Sequence, residues 1–463
     1  MKHIHLIGIG GSGLSAIARI LIENGYKVTG SDQNMSAMAE TVIHLGAQVF
    51  TGHSAENIFG ADTVIYSSAI SADNPELVAA KNANIPVFKR SEFIGRLFEG
   101  KKCLAIAGTH GKTTTTAMLA WILSALDQDP SYIIGGISKN LGNNAHAGKG
   151  EYFVIEADEY DRMFHGLKPE YMVITNVEHD HPDCYPTLAS YHQSFAEFIQ
   201  KLSPTGVLFA CKDDDPAYEL SIKSSPASGN IFSYGLDKTA NYTALNLEPN
   251  DNGGFRFDFA QNTTDTTSII LKNIDLSVPG KHNVQNAVAV LAIIHQLGLP
   301  FNKTIEHFKE FKGTGRRFEK LGEVKNILII DDYGHHPTEI EATLSAASAC
   351  YPGRRIWAVW QPHTYSRTQS LESRFISSLK LADKVIITEV FAARESNNGF
   401  SSQEIVNKMN DPDVTFAPKL EAAEQYLLAN IQQNDIVIVL SAGDANQISA
   451  NIYKHLQEQV RDE

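Results

Sequence analysis

Short apolar runs recur along this chain, separated by segments whose apolar positions repeat at helical spacing. Near the amino terminus, IHLIGI reads as a strand, SGLSAIARILIENG as an amphipathic helix and KVTGSD as a second strand. TVIHLG, TVIYSSA and IPVFKR continue the series of strands, and NPELVAAKNANIP reads as the helix between the last two. Strands that alternate with helices imply parallel βαβ units, so residues 1–97 are expected to form a doubly wound α/β domain. KKCLAIAG restarts the pattern, with KTTTTAMLAWILSAL as its helix and YFVIEADE, YMVITNVE and GVLFACKDD as further strands.

Over residues 228–279 the composition shifts toward Thr and Asn, with alternating strand character and a turn-like NDNGG. This stretch is expected to be a small antiparallel subdomain inserted in or appended to the second block. HNVQNAVAVLAIIHQLG returns to helix. A third block follows FKGTGRRFEKLG, with strands NILIIDDY, RIWAVWQ, KVIITEVF and DIVIVLSAGD. The expected organisation is three α/β domains in series, residues 1–97, 98–313 and 314–463.

Charge narrows the partners. The formal net charge is -14 and no Lys/Arg-rich run occurs, which disfavours nucleic acid. Small anions remain compatible, because loops and helix ends bind phosphate in acidic proteins. Cys103, Cys184, Cys211 and Cys350 are far apart and form no CxxC pair, as expected of free thiols in a reducing compartment. The first residues lead straight into a strand, and no apolar run approaches the roughly 18 residues a membrane helix requires. A cytoplasmic protein with no membrane partner is expected.

Two glycine-rich loops carry the clearest chemistry. In AIAGTHGKTTTT, Gly108, Gly111, Lys112 and Thr113 stand between an apolar strand and a helix. Glycines let backbone N–H groups converge on phosphate oxygens, the helix end adds partial positive charge, and Lys112 adds a full one. The Thr113 hydroxyl is placed to hold magnesium. The match to GxxxxGK[ST] is incomplete, because Ile106 stands where the first Gly belongs. The earlier loop has G-x-G-x-x-G at Gly8, Gly10 and Gly13, with Asp32 after the next strand. It implies a diphosphate at a helix N-terminus without naming the nucleoside.

Acids and histidines gather at the ends of presumed parallel strands, where ligands bind. FVIEADEYD carries Glu156, Asp158, Glu159 and Asp161, and TNVEHDHPD carries Glu178, His179, Asp180, His181 and Asp183. Beside a triphosphate these carboxylates are expected to hold magnesium, a hard cation that prefers oxygen. Zinc is the rival, disfavoured because no cysteine lies at zinc-ligand spacing. In the third block, DDYGHHPTE and WQPHTYSRT place two histidines, His363 and Arg367 in a candidate pocket for a small carboxylate. Arg316 and Arg317 of GTGRRFE are positioned to reach a phosphate bound by the central domain.

In order, GIGGSGLS, GSD, AGTHGKTTTT, EADEYD, TNVEHDH, GKHNVQNA, GTGRRFE, DDYGHHP and QPHTYSRT resemble the motifs of the Mur ligases of bacterial cell-wall synthesis. The resemblance covers nearly the whole chain. It implies a Rossmann-like UDP-binding domain, a central P-loop ATPase-like α/β domain with the small antiparallel subdomain, and a Rossmann-like C-terminal domain. It also implies ATP and Mg2+ as cofactors, and UDP-N-acetylmuramate and L-alanine as partners, joined through an acyl phosphate. A monomer or weak homodimer is expected.

Carried over by position, the resemblance gives Gly108, Thr109, His110, Gly111, Lys112, Thr113 and Thr114 to ATP. His282, Asn283, Asn286, Arg317 and Asp332 join them from the central and third domains. Thr113, Glu156 and His181 become the metal set. Gly10, Ser12, Gly13, Ser31, Asp32, His53 and Ser68 surround the UDP-sugar, and Tyr333, His335, His363 and Arg367 form the alanine pocket. Lys112, Glu156, His181, Arg317 and His335 are the implied catalytic residues. Tyr160 stands where alanine-adding members commonly carry Ser, and EADEYD also occurs in the related ligase that recycles murein tripeptide. That ligase lacks QPHxxxRT, which favours alanine and leaves the tripeptide as the alternative. An NAD-linked oxidoreductase would leave the central loop and the acid clusters without a role.

Overall fold

The computed structural model describes residues 2–226, 230–263, 266–397 and 399–461, and these form three sheets. The first sheet runs in the order Gln48–Thr51, Lys27–Asp32, His3–Ile7, Thr63–Tyr66, Val87–Lys89, all parallel. The strand order turns back at His3–Ile7, so the chain leaving this strand at Gly8 opens at the topological switch point, where ligands bind in such sheets. One predicted strand is corrected. TVIHLG lies largely in the helix Ala37–His44, where Ser36 caps the N-terminus by accepting from the Ala39 N–H and Ala39 and Val42 face the core.

The second sheet centres on Lys102–Ala107, flanked by Tyr152–Glu156 and Tyr171–Ile174, with Val207–Cys211 and Ile231–Gly235 continuing in parallel. Tyr242–Pro249, Phe255–Asn262 and Thr267–Leu276 add to the same sheet, the last two pairings antiparallel. The predicted antiparallel stretch is therefore an extension of the central sheet and not a layer of its own. Residues 228–229 and 264–265 of that stretch lie outside the described residues. The physical reason is shared burial. Tyr242, Phe257, Phe259, Leu271 and Ile274 join the same apolar core as Leu104, Ile106 and the helices Lys112–Ala125 and Lys281–Gln296.

The third sheet runs Glu319–Val324, Ile327–Asp332, Asp435–Leu440, Arg355–Trp360, Lys384–Ile387, Val414–Phe416, parallel except for its first strand. Its middle strands are buried along nearly their whole length, only Arg355 at one strand start being part-exposed, as strands covered on both faces must be.

In the first sheet, a Cβ on Gly30 would lie 2.6 Å from the Leu6 carbonyl oxygen and 2.6 Å from Ile9 Cδ1. The strand pair and the loop after it leave no room for a methyl group. Gly30→Ala is expected to lower stability by about 1–3 kcal/mol, read as a lower urea midpoint. An unchanged midpoint would contradict this packing.

Candidate active site

The phosphate-type loop begins where Lys102–Ala107 ends. Gly108 has φ +139°, and a Cβ there would lie 2.0 Å from Thr175 Oγ1. The loop is stitched to the neighbouring strand end: Thr109 N donates to Asn176 O (2.9 Å), His110 N to Asn176 Oδ1 (2.8 Å) and Thr175 Oγ1 to His110 O (2.6 Å). Lys112 Nζ turns back to donate to Gly108 O (2.6 Å), Thr109 O (2.9 Å) and Glu159 Oε1 (3.0 Å). Burial works against its charge, but Glu159 and Glu156 outweigh that and raise its pKa.

Thr113 Oγ1 donates to Glu156 Oε1 at 2.9 Å, and Gly135 N donates to Glu156 Oε2 at 2.6 Å. These two oxygen donors form the kind of set a hard cation takes. Burial raises the Glu156 pKa against the pull of Lys112. His181, expected in the same set, instead faces Glu159 (3.4 Å) and Asp180 (3.7 Å). Glu159, expected among the magnesium carboxylates, instead holds both Lys112 and His181.

Above the loop lies a cavity of about 570 Å³. His110, Gly111, Thr113 and Thr114 form one end, and His282, Asn283, Asn286, Arg317 and Asp332 form other parts of its wall. Asn286 Nδ2 donates to Asn283 Oδ1 (3.1 Å), and Asn283 Nδ2 to Pro279 O (2.6 Å), which fixes both amides at the start of Lys281–Gln296. Arg317 Nη1 donates to Glu339 Oε1 at 2.9 Å. Asp332 accepts from Phe318 N (2.7 Å) and Gly334 N (2.6 Å), so its carboxylate braces the turns that border the cavity.

In the third block, Tyr333, His335 and His363 meet edge to face in sequence, with ring centroids 5.5 and 5.6 Å apart. Arg367 Nη1 lies 3.0 Å from His363 Nδ1. The expectation gave Arg367 to a ligand carboxylate, but here it grips Asp180 Oδ1 through Nε (2.8 Å) and Nη2 (2.7 Å), almost wholly buried. Two more arginines, Arg374 and Arg394, carried no signal in the sequence. Arg374 binds Glu178, and Arg394 binds Asp183 at 2.6 Å. Glu178, Asp180 and Asp183 of that central loop thus each meet an arginine of the third block.

At the first loop, Gly10 N donates to Asp32 Oδ2 (2.9 Å) and Ser36 Oγ to Gly10 O (2.8 Å). Ser12 and Ser68 are exposed at the edge of this site. Ser31 Oγ donates to Glu76 Oε2 (2.5 Å), and His53 Nδ1 lies 3.0 Å from Ser31 Oγ and 3.2 Å from Glu76 Oε2. Glu76 went unnoticed in the sequence, because an acid after Asn-Pro reads as an ordinary first-turn residue. It is fully buried. Burial alone would raise its pKa, but the His5 imidazole 3.7 Å away and hydrogen bonds from Ser31 and Asn57 hold it down to about 2. Arg90 was also missed. It lies so close over Gly13 that a Cβ there would sit 1.7 Å from Arg90 Nη1, and its Nη2 donates to Asp158 Oδ2 at 3.1 Å.

Residues 3–102 match the family model described as Mur ligase family, catalytic domain. Residues 106–294 match Mur ligase middle domain, and residues 316–443 match Mur ligase, glutamate ligase domain. A UDP-N-acetylmuramate–L-alanine ligase of Alkaliphilus metalliredigens is 39% identical over 452 residues, 97% of this chain and 96% of the relative. The chain belongs to the Mur ligase family. A second UDP-N-acetylmuramate–L-alanine ligase, of Caldanaerobacter subterraneus, is 40% identical over 96% of both chains. The crystal structure of a UDP-N-acetylmuramate-alanine ligase from Thermotoga maritima matches this Mur ligase with a TM-score of 0.83 at 29% identity, covering 99% of this chain and 100% of that one.

Burial holds several imidazoles of the site neutral: His335 is pushed down to about 3, and His282, His336 and His363 to about 4. The unfolded chain takes up these protons near the ordinary histidine value of about 6.5, whereas the folded chain refuses them until about pH 3–4. Their effect is therefore a loss of stability as pH falls from about 6.5 toward about 4. The urea midpoint is expected to drop between about pH 7 and about pH 5, and a His335→Gln/His363→Gln variant to show a shallower drop over the same interval. An equally steep drop in the variant would refute the buried neutral state.

Proposed function

We propose that this Mur ligase joins L-alanine to UDP-N-acetylmuramate, with ATP cleaved to ADP and phosphate, in the assembly of peptidoglycan precursors. The observation that carries this reading is the full-length likeness to alanine-adding ligases, 39% identical over 97% of the chain. In this reading residues 1–97 bind the UDP-sugar, residues 98–313 bind ATP and residues 314–463 bring the amino acid.

A carboxylate does not acylate an amine, because oxide is a poor leaving group. Attack of the sugar's lactyl carboxylate on the γ-phosphorus gives an acyl phosphate and ADP. The alanine amine then attacks the acyl carbon, and inorganic phosphate departs with the C–O electron pair. Lys112, kept charged by Glu159 and Glu156, is placed to offset negative charge on the transferring phosphoryl group. Arg317, on the cavity wall, adds a second fixed cation. Thr113 and Glu156 would hold Mg2+, which supplies further charge neutralisation at phosphate oxygens. His335, held neutral by burial and donating through Nδ1 to Tyr333 O, can accept a hydrogen bond at Nε2 from the incoming ammonium group, while the Nδ1 of neutral His363 accepts from Arg367.

Tyr160 favours the second reading, a ligase for murein tripeptide. Its ring meets His181 (centroids 5.1 Å apart) and lies under the Arg394 guanidinium (4.3 Å), so a feature shared with the recycling enzyme faces the proposed amino-acid side.

Phosphate release with ATP, Mg2+ and UDP-N-acetylmuramate is expected to rise on adding L-alanine and not on adding murein tripeptide; the reverse would make the tripeptide reading correct. Lys112→Ala is expected to lower turnover by at least about a hundredfold while largely sparing UDP-sugar binding. Unchanged turnover would remove Lys112 from the mechanism.

A further inference from the structure

Among the described residues, one group of three His, Cys, Asp or Glu side chains converges with ligand atoms all within 4.8 Å of one another: His110, Glu178 and His336. It shares no residue with the oxygen pair Thr113 and Glu156. His110 comes from the phosphate loop, Glu178 from the neighbouring strand end, and His336 from the first turn of Pro337–Cys350 in the third block. We propose that these three side chains form a transition-metal site of the zinc class, whose occupant clamps the third block onto the phosphate loop.

The spacing is that of a tetrahedral set. Ligand atoms about 2.0–2.2 Å from Zn2+ stand about 3.3–3.6 Å from one another. Glu178 Oε2 lies 3.0 Å from His110 Nε2 and 3.6 Å from His336 Nδ1. Two imidazoles and a carboxylate with a position left open are a familiar zinc donor set, and they are too rich in nitrogen for magnesium.

The surroundings are built as a metal site requires. His110 Nδ1 lies 3.5 Å from Glu339 Oε1, so a carboxylate orients the ring with Nε2 toward the site. Arg374 holds the other oxygen of Glu178, leaving Oε2 turned to the imidazoles. Thr338 Oγ1 donates to Oε2 at 2.7 Å, and Thr338 N reaches His336 Nδ1 at 3.4 Å. His336 is fully buried, and its Nε2 has no hydrogen-bond partner. Its Nδ1, the ring atom that faces Glu178 Oε2, is the atom offered to the metal. His110 and Glu178 also line the 570 Å³ cavity, so the open position faces that space.

The test is a titration of the full-length protein with Co2+, after chelation of trace metals and in excess Mg2+. The expected result is the visible ligand-field absorption of four-coordinate Co2+, saturating at a single equivalent and abolished by Zn2+. His336→Ala is expected to weaken Co2+ binding at least about tenfold, and Glu339→Gln by about ten- to a hundredfold. Glu156→Gln is expected to leave the spectrum unchanged, which separates this site from the magnesium donors and from the ligase reading. No visible band, a band that survives His336→Ala, or a band lost in Glu156→Gln would each overturn the proposal. If His336→Ala fails to fold by circular dichroism, Glu178→Gln carries the same test.

Discussion

The chain leaving strand Tyr171–Ile174 is the piece on which the rest of the site depends. On one side, Thr175 and Asn176 hold the backbone of the phosphate loop through hydrogen bonds to Thr109 and His110. On the other, Glu178, Asp180 and Asp183 hold Arg374, Arg367 and Arg394 of the third block. Of these acids Asp180 is buried, and it is tolerated only with partners, because an unpaired carboxylate away from water is strongly disfavoured. Asp180 and Arg367 are each nearly inaccessible, so separating the blocks at this point requires both charges to regain water.

The central sheet uses a second strand end in the same way toward the first block. After Tyr152–Glu156, Asp158 pairs with Arg90 at 3.1 Å and Asp161 pairs with Lys89 at 2.5 Å. Arg90 at the same time covers Gly13 at the start of the first glycine loop. Two strand ends, one on each side of Lys102–Ala107, therefore address two different neighbours, and Thr113 follows the strand between them. For a ligase that must bring a sugar carboxylate, a nucleotide and an amino acid together, this gives each flanking block its own ionic contact with the catalytic strands. Partly exposed pairs contribute little, whereas the buried Asp180–Arg367 pair must offset a large desolvation cost, so removing either partner alone would leave an uncompensated buried charge.

Much of this was legible in the sequence. Both glycine loops stand at switch points because strand, glycine and helix follow one another without interruption, and that local order is enough to place backbone N–H groups at a sheet edge. His282, Asn283, Asn286, Arg317 and Asp332 are expected on the nucleotide side only from the family resemblance, and one cavity gathers them. TVIHLG misled because a short apolar run is compatible with either element; the Ser36 cap, three residues before Ala39, decided for helix. Residues 228–279 read as antiparallel strands inserted in or appended to the second block, but alternation says nothing of which sheet they join.

The sequence by itself determined the order of the elements, the two loops and the chemical inventory of the site, because periodicity and glycine placement act over a few residues. Only the tertiary structure decided who meets whom. Arg367 could be read as a ligand contact from its motif, yet Asp180, 187 positions away, holds it. Glu76 gained its role from Ser31, His53 and Asn57, and Arg90 from Gly13 and Asp158. The pairing of charges follows burial, and burial is a property of the packed blocks, with no signature in the local pattern of residues.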